Sequence, residues 1–511
     1  MSIARAYLTS TAISLSLFAT AASADLTATN VWEDWRGYME GMGYVVTATE
    51  DVSGDKLSVS DIAVQIEGGP DISSMTMRMG MLEFVELGDG TVEVVMPAVM
   101  PMTIDIVPKS TPRPARISLD YTQDGQRMIA SGDAAAMQYD YTADSFGIAL
   151  SGLSVDGTEF DETTARFVLT GTGVESKTNV SVGETRRYTQ SLKIGQAAHD
   201  LFFKSPDGVE AMTLNNTMQN LSLESISALP VSEIPQTQDI MPLIAAGFAV
   251  DGTFKATGSE TKIEVVSEEG TSKIKTGSAS STLGIAMGAD GIIYDVAATE
   301  VQLGAQLAGL PFPLFAEMAQ SGFEMRAPVM KSETPQDFSL AFDMTDFTMS
   351  DIIWALFDPS GQLPRDPATI ALGLRGKAKV LFDTLDPEQM GKLAGSGAVP
   401  GELNALTIDR LTVDAVGARV DATGDFTFDN TDTTTLPGFP KPVGDINIDV
   451  AGANALMDKL VAMGLLPADQ VMGARMMLGL FAVPGDADDT LKSKIEFNEA
   501  GQILANGQRI K

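Results

Sequence analysis

The chain has one histidine in 511 residues, His199, with Asp200 beside it. A carboxylate can orient an imidazole for acid–base work, so this pair is the first place to look for chemistry. Neighbours in an extended stretch point to opposite faces, however, and the pair makes no triad. Ser272-Lys273-Ile274-Lys275 matches the S-x-x-K spacing of serine acyl-transfer enzymes. There the motif opens a helix, whereas here it lies in an alternating run that predicts a strand. No G-x-S-x-G elbow occurs. Asp425, Asp429 and Asp432, and also Asp486, Asp488 and Asp489, offer oxygen ligands for calcium. Neither group keeps the D-x-[DN]-x-[DN]-G spacing, and both read as loops. Glycoside hydrolysis needs two carboxylates across a cleft, and with 68 acidic residues no pair is singled out. Gly395-Ser396-Gly397 and Gly171-Thr172-Gly173 read as ordinary turns rather than phosphate cradles. The absence of cysteine removes thiol catalysis, iron–sulfur clusters and cysteine-ligated zinc. The expectation is a non-enzyme, with neither cofactor nor metal; a hydrolase with an unrecognised site is the alternative.

What remains is apolar surface. Met75, Met77, Met79 and Met81 alternate with polar or small residues, so they share one face of a strand. Further methionines cluster at 96–102 and at Met472, Met476 and Met477. Methionine is flexible and polarisable and accommodates varied apolar ligands. Core packing is the plain reading of these stripes, and a groove for acyl chains is the sharper one. Both alternate at period 2, so both stay open. Met75, Met77, Met79 and Met81 are the candidate ligand-binding residues.

The elements that would position such a face start at Thr29–Ile66. Thr29 and Asn30 are candidate helix caps. Trp32, Trp35, Met39 and Met42 follow at helical spacing, and Gly41 and Gly43 stop the helix. A β-rich run from Tyr44 and a Ser53-Gly54-Asp55 turn lead into Leu57, Val59, Ile62, Val64 and Ile66, which nearly alternate. This predicts an amphipathic helix laid on an antiparallel sheet.

Turns at Gly88-Asp89-Gly90, Asp124-Gly125, Ser131-Gly132-Asp133, Asp156-Gly157 and Gly171-Thr172-Gly173 then divide short strands into a long meander. Pro97, Pro101 and Pro108 demote the run between them to edge strand or loop. Glu184–Phe203 carries no clear pattern. A proline-containing break at Leu229–Pro235 is the best domain boundary. Beyond it a helix at Gln236–Ala246 and an Asp251-Gly252 turn echo the opening. Further helices are expected at Leu314–Met318, Met349–Phe357 with Asp351 near its start, Asn454–Met463 capped by Asn454, and Ala468–Phe481. The expected organisation is a signal peptide over 1–24, a helix-plus-sheet domain over 25–235, and an α+β sheet domain over 236–511. The fold class is α+β: long twisted antiparallel β-sheets with a few amphipathic helices packed on one face, curling towards a groove.

Composition sets the compartment. Arg5, the apolar run Tyr7–Phe18 and Ala22-Ser23-Ala24 read as a secretory signal cleaved after Ala24, which implies a periplasmic protein. No later stretch is long and apolar enough to span a membrane. With a formal charge of −34 and a pI near 4.2, the chain is unsuited to nucleic acid or to docking on anionic lipid surfaces. Its acidity reads as solubility in an open compartment.

Asn30-Val31-Trp32-Glu33-Asp34-Trp35 with Gly43-Tyr44 resembles the opening of an exported alphaproteobacterial family known only as a domain of unknown function. The ending is similar too: the strand Gly444–Val450, the helix Asn454–Met463 with Gly464-Leu465-Leu466-Pro467, and Gly501-Gln502-Ile503-Leu504-Ala505-Asn506-Gly507. On these motifs the resemblance takes in the whole mature chain. It carries over no catalytic residue. More distantly, the closing helix-and-hairpin pattern looks like AsmA-like exported proteins. That resemblance implies long β-sheets forming lipid-associated grooves in outer-membrane maintenance. The expected function is therefore binding of a lipid or other apolar ligand in envelope maintenance, with envelope proteins as possible partners. A periplasmic protein–protein scaffold is the alternative.

Overall fold

The computed structural model describes residues 25–67, 72–109, 113–230, 240–396 and 399–511. The candidate signal segment 1–24 and the stretch 231–235 of the boundary lie outside the described residues. Helix α1 (Ala28–Gly41) starts two residues earlier than the cap expected at Thr29. Thr27 is the cap: its Oγ1 accepts the Asn30 N–H, and the Asn30 side chain accepts the Thr27 N–H in return. This reciprocal box satisfies two otherwise orphaned donors, which is why it wins over the single cap.

The sheet begins with a hairpin of β1 (Val45–Ser53) and β2 (Lys56–Glu67). The other edge of β2 is shared end to end: β3 (Ile72–Met79) pairs from Ile62 onward, and β4 (Leu82–Glu86) pairs with Lys56–Val59. Two ribbons of three strands follow. One runs β4, β5 (Val92–Val95) and β8 (Arg127–Asp133); the other runs β3, β6 (Val99–Pro108) and β7 (Ala115–Asp124). Both rejoin on one edge of β9 (Ala136–Val155), whose last residues also carry the short β10 (Thr158–Phe160).

From β9 the sheet is a plain antiparallel meander in which each strand pairs with the one before it. Its strands are β11 (Ala165–Val182), β12 (Thr185–Lys204), β13 (Ala211–Pro230), β14 (Ala249–Ser267), β15 (Gly270–Gly288) and β16 (Gly291–Gln306). It continues with β17 (Leu314–Ala327), β18 (Gln336–Met349), β19 (Ala368–Val380), β20 (Gly401–Ala415), β21 (Ala418–Asp429) and β22 (Lys441–Ala451). The longest strands have 20 residues, about 65 Å of chain. Short helices α2 (Met241–Ala245), α3 (Asp351–Trp354) and α4 (Pro387–Ser396) lie in its connections, and α5 (Ala453–Ala462) and α6 (Ala468–Phe481) follow β22. After β23 (Val483–Pro484), β24 (Thr490–Phe497) pairs with β22, and β25 (Ile503–Ala505) and β26 (Gln508–Arg509) close the sheet. This is the expected α+β class with long antiparallel sheets. β13 and β14, on the two sides of the expected boundary, pair with each other from Ala211 to Ala228.

One line of backbone irregularities crosses the sheet from side to side. Asp61, Gly173, Asn220, Gly258, Glu300 and Asp346 all lie inside strands with φ between 46° and 72°. The register sets them in a row. Gly173 falls opposite Gly195, and Gly195 opposite Asn220. Gly258 falls opposite Ala279, Ala279 opposite Glu300, and Ala319 lies between Glu300 and Asp346. Bulged positions bend a strand and raise its twist. Aligned over so many strands, they crease the whole sheet lengthwise. Between β2 and β9 the crease opens into the gap separating the two ribbons. It also shifts the side-chain alternation by one, so Val59 and Ile62, Met218 and Leu221, and Met318 and Ser321 face the same way.

Several local expectations are corrected by this line. Gly171-Thr172-Gly173 is no turn but the crease within β11, since positive φ serves a bulge as well as a turn. Asp251-Gly252 lies inside β14. Leu314–Met318 is the start of β17 rather than a helix, because cross-strand pairing outweighs a five-residue helical pattern. The proline-rich run forms β6, an inner strand; Pro101 lies beyond the end of its ladder with β3, so the missing N–H leaves no gap there. The unclear stretch 184–203 is β12. Helix α5 is capped not by Asn454 but by Asp489, whose carboxylate accepts the N–H groups of Asn454 and Ala455.

Candidate functional site

Directly opposed residues in an antiparallel sheet share a face. From Leu192 on β12, successive cross-strand partners are Leu223, Phe254, Leu283, Val296 and Phe323. The row continues through Phe342, Leu372, Leu411, Ala422 and Ile448. Eleven consecutive strands thus contribute an apolar residue to one lane, with no polar interruption. A second lane runs two residues farther from the crease: Ile285, Tyr294, Met325, Leu340, Leu374 and Ile408. On the opposite flank of the crease, Leu201, Leu214, Ile263, Ile274, Ala305 and Leu314 form a third.

These lanes are not a filled core. Phe84, under α1, is fully buried, whereas Ile285, Tyr294 and Phe342 are 43%, 38% and 38% exposed. Within β14–β21 the buried positions are glycine, alanine or threonine, apart from Val380 at the end of β19. Burial is deepest at the crease, where Ala197 and Met218 from one flank meet Leu221 and Ala256 from the other. Bottom residues buried and wall residues half-exposed describe an open apolar trough along the crease.

Helix α1 closes one end. Its Trp32 packs on Phe84 and its Trp35 on Phe84 and Tyr139. Tyr38 meets Tyr188 edge-on. Leu57 and Ile62 of β2 and residues of both ribbons, among them Phe84, Val94 and Met100, join α1 in one core. The two flanks therefore bend towards the face that carries α1. Beneath the helix a cavity of about 470 Å³ remains, and its lining continues the trough rows through Tyr139, Thr178, Gln190 and Ser225. Asp34 on α1 is buried there, ion-paired to Arg186 and accepting the Tyr139 hydroxyl at 2.8 Å. Burial, aided by the Asp34 carboxylate, raises the Tyr139 phenol far above its ordinary range. Burial raises Tyr188 to about 12, again with help from Asp34. At the other end α6 stops over β24, its Phe481 carbonyl held by Ser493 Oγ and Asn506 Nδ2. The outward side of α6 bears exposed Met472, Met476 and Leu480.

The predicted candidates fall in different places. Met75, Met77 and Met79 lie side by side on β3, half-buried, opposite Ile66, Val64 and Ile62 on one side and Ile106, Ile104 and Met102 on the other. Met79 packs against the core under α1. Met81 lies past the end of the strand and is exposed. His199 occupies the trough face between Leu169 and Asn216, while Asp200 turns away to pair with Arg166 at 3.1 Å. Lys273 and Lys275 pair with Glu264 and Glu260, and Ser272 accepts the Ala308 N–H. Asp429 and Asp432 close threonine turns, Asp425 accepts from Thr407, and Asp486 pairs with Lys492. Among the described residues no three His, Asp or Glu side chains converge on a point that could hold a metal ion. The lane itself escaped the sequence reading. Its members are single apolar residues 11 to 39 positions apart, visible in sequence only as the apolar half of each alternation.

Residues 254–505 match a family model described as an uncharacterized protein conserved in bacteria, DUF2125. These residues belong to DUF2125. The DUF2125 region begins at Phe254, a member of the lane, and contains the closing strand and helix motifs. The opening motif at Asn30–Tyr44 lies outside it, so the family match is narrower than the whole-chain resemblance. No curated protein and no solved structure matches the chain. Among the described residues no helix is long and apolar enough to cross a membrane.

Proposed function

We propose that this is an exported, periplasmic, non-enzymatic protein that holds an extended apolar ligand, foremost the acyl chain of a lipid, in the trough as part of envelope maintenance. The observation that carries this reading is the eleven-strand lane, apolar throughout and half open to solvent. A soluble chain seldom leaves so long an apolar surface uncovered unless something binds there. Each methylene withdrawn from water contributes about 0.8 kcal/mol, so a single acyl chain along the lane supplies ample affinity. The signal-like start supports export.

The test is mass spectrometry of organic extracts from protein purified from the periplasm without detergent. A stoichiometric lipid that disappears in Phe323→Asp and Leu372→Asp supports the reading. Met77→Glu with Met79→Glu asks whether the trough extends functionally onto β3. A clean extract from well-folded protein sinks the proposal. It would shift the weight to a scaffold acting by strand addition, for which β1 is the candidate edge, since among the described residues it pairs only with β2.

A further inference from the structure

The cavity under α1 differs in chemistry from the trough it terminates. Thr178, Gln190 and Ser225 continue the trough rows there, and Ser227 joins them. None of these four side chains makes a hydrogen bond to another described residue. The Tyr188 hydroxyl is buried and makes no well-formed hydrogen bond among the described residues, with the Arg186 guanidinium beside it. Five neutral hydrogen-bonding groups thus gather where the trough runs under α1. An unpaired buried hydroxyl such as that of Tyr188 is costly, and a ligand that satisfies it recovers that cost; the half-buried Thr178, Gln190, Ser225 and Ser227 offer further hydrogen bonds beside it. Among the described residues no lysine or arginine lines the cavity. The nearest cation, Arg186, is already paired with buried Asp34.

We infer that this cavity receives the polar end of the trough's ligand, and that this end is an uncharged, hydroxyl-bearing group such as the glycerol or sugar head of a neutral amphiphile. The inference rests on the trough reading above and assigns the ligand's class and direction. The head lies among Tyr188, Thr178, Gln190 and Ser225; the acyl chain leaves past Leu192 and Leu223 towards Phe254. A phosphate head finds no free cation and meets the Asp34 carboxylate, so it is disfavoured in a site of low dielectric.

Calorimetric titration of the purified protein with a monoacylglycerol and with the lysophosphatidic acid of the same chain tests this. The monoacylglycerol binds at least tenfold tighter. Tyr188→Phe weakens it several-fold and leaves the lysophosphatidic acid unchanged. Ser225→Phe, which fills the cavity, abolishes the preference while either chain still binds the open trough. Equal affinities, a preference for the phosphate head, or a Ser225→Phe protein that keeps the preference would each overturn the assignment of the head. If Leu372→Asp removes binding of both amphiphiles in those cases, the trough reading still stands. Binding of neither amphiphile would overturn both.

Discussion

Tyr139 on β9 donates its hydroxyl to Asp34 on α1, 105 positions earlier in the chain. Arg186 on β12 takes the other carboxylate oxygen of Asp34. Three distant elements are thereby tied at one point, with the carboxylate only 4% exposed. Removing one partner strands a buried charge. Arg186→Met should cost about 3–5 kcal/mol, and Tyr139→Phe about 1–3 kcal/mol. Urea unfolding followed by tryptophan emission measures both, because Trp32 and Trp35 lie on the same helix. Losses below about 0.5 kcal/mol would mean that α1 is held by its apolar face alone.

Alkali should loosen the same end. Burial raises the phenols of Tyr139, Tyr141 and Tyr188 above their ordinary value of 10, Tyr188 to about 12. A raised acid holds its proton more tightly folded than unfolded. Its contribution to stability is therefore whole below about pH 10 and is lost as pH climbs towards 12 and beyond. Titration of tyrosinate absorbance should show three of the eight tyrosines ionising only together with unfolding. A full reversible titration in native protein would contradict this.

The crease predicts an unusual order of substitutions. Glu300 sits in mid-strand at φ 49°, where a side chain costs roughly 1–2 kcal/mol and glycine almost none. Glu300→Gly should leave the melting temperature unchanged or raise it, although glycine normally weakens a strand. Gly173→Val, at φ 63°, should lower stability by at least about 1 kcal/mol. The opposite order would show that the bend does not depend on these residues.

Phenylalanines should divide into two classes. Phe84 is fully buried under α1, so Phe84→Ala should cost about 3–5 kcal/mol. Phe342 stands 38% exposed on the trough wall, and Phe342→Ala should cost about 1 kcal/mol or less in ligand-free protein. Denaturant midpoints of the two variants decide it. A large loss at Phe342 would mean that the lane is core.

Much of this architecture is legible locally. The helical spacing of Trp32, Trp35 and Met39, the glycine turns at Gly54, Gly88 and Gly125, and the period-2 runs follow from steric rules acting over a few residues. Even the crease leaves a trace, since the skipped step between Val59 and Ile62 marks where Asp61 turns left-handed. Gly173 shows the limit of such signals: the same positive φ serves a turn or a bulge, and only pairing with β9 and β12 selects the bulge.

Which residues of each strand share a face follows from local order alone, because alternation is a property of the single extended chain. The tertiary structure decided which strands stand side by side, and hence that Phe254, Leu283, Val296 and Phe323 form one lane. It also decided that helix α1 covers Phe84 while, among the described residues, Phe342 stays 38% exposed. Burial depends on what arrives from elsewhere in the chain, and two apolar residues with the same local pattern become core or trough according to that alone.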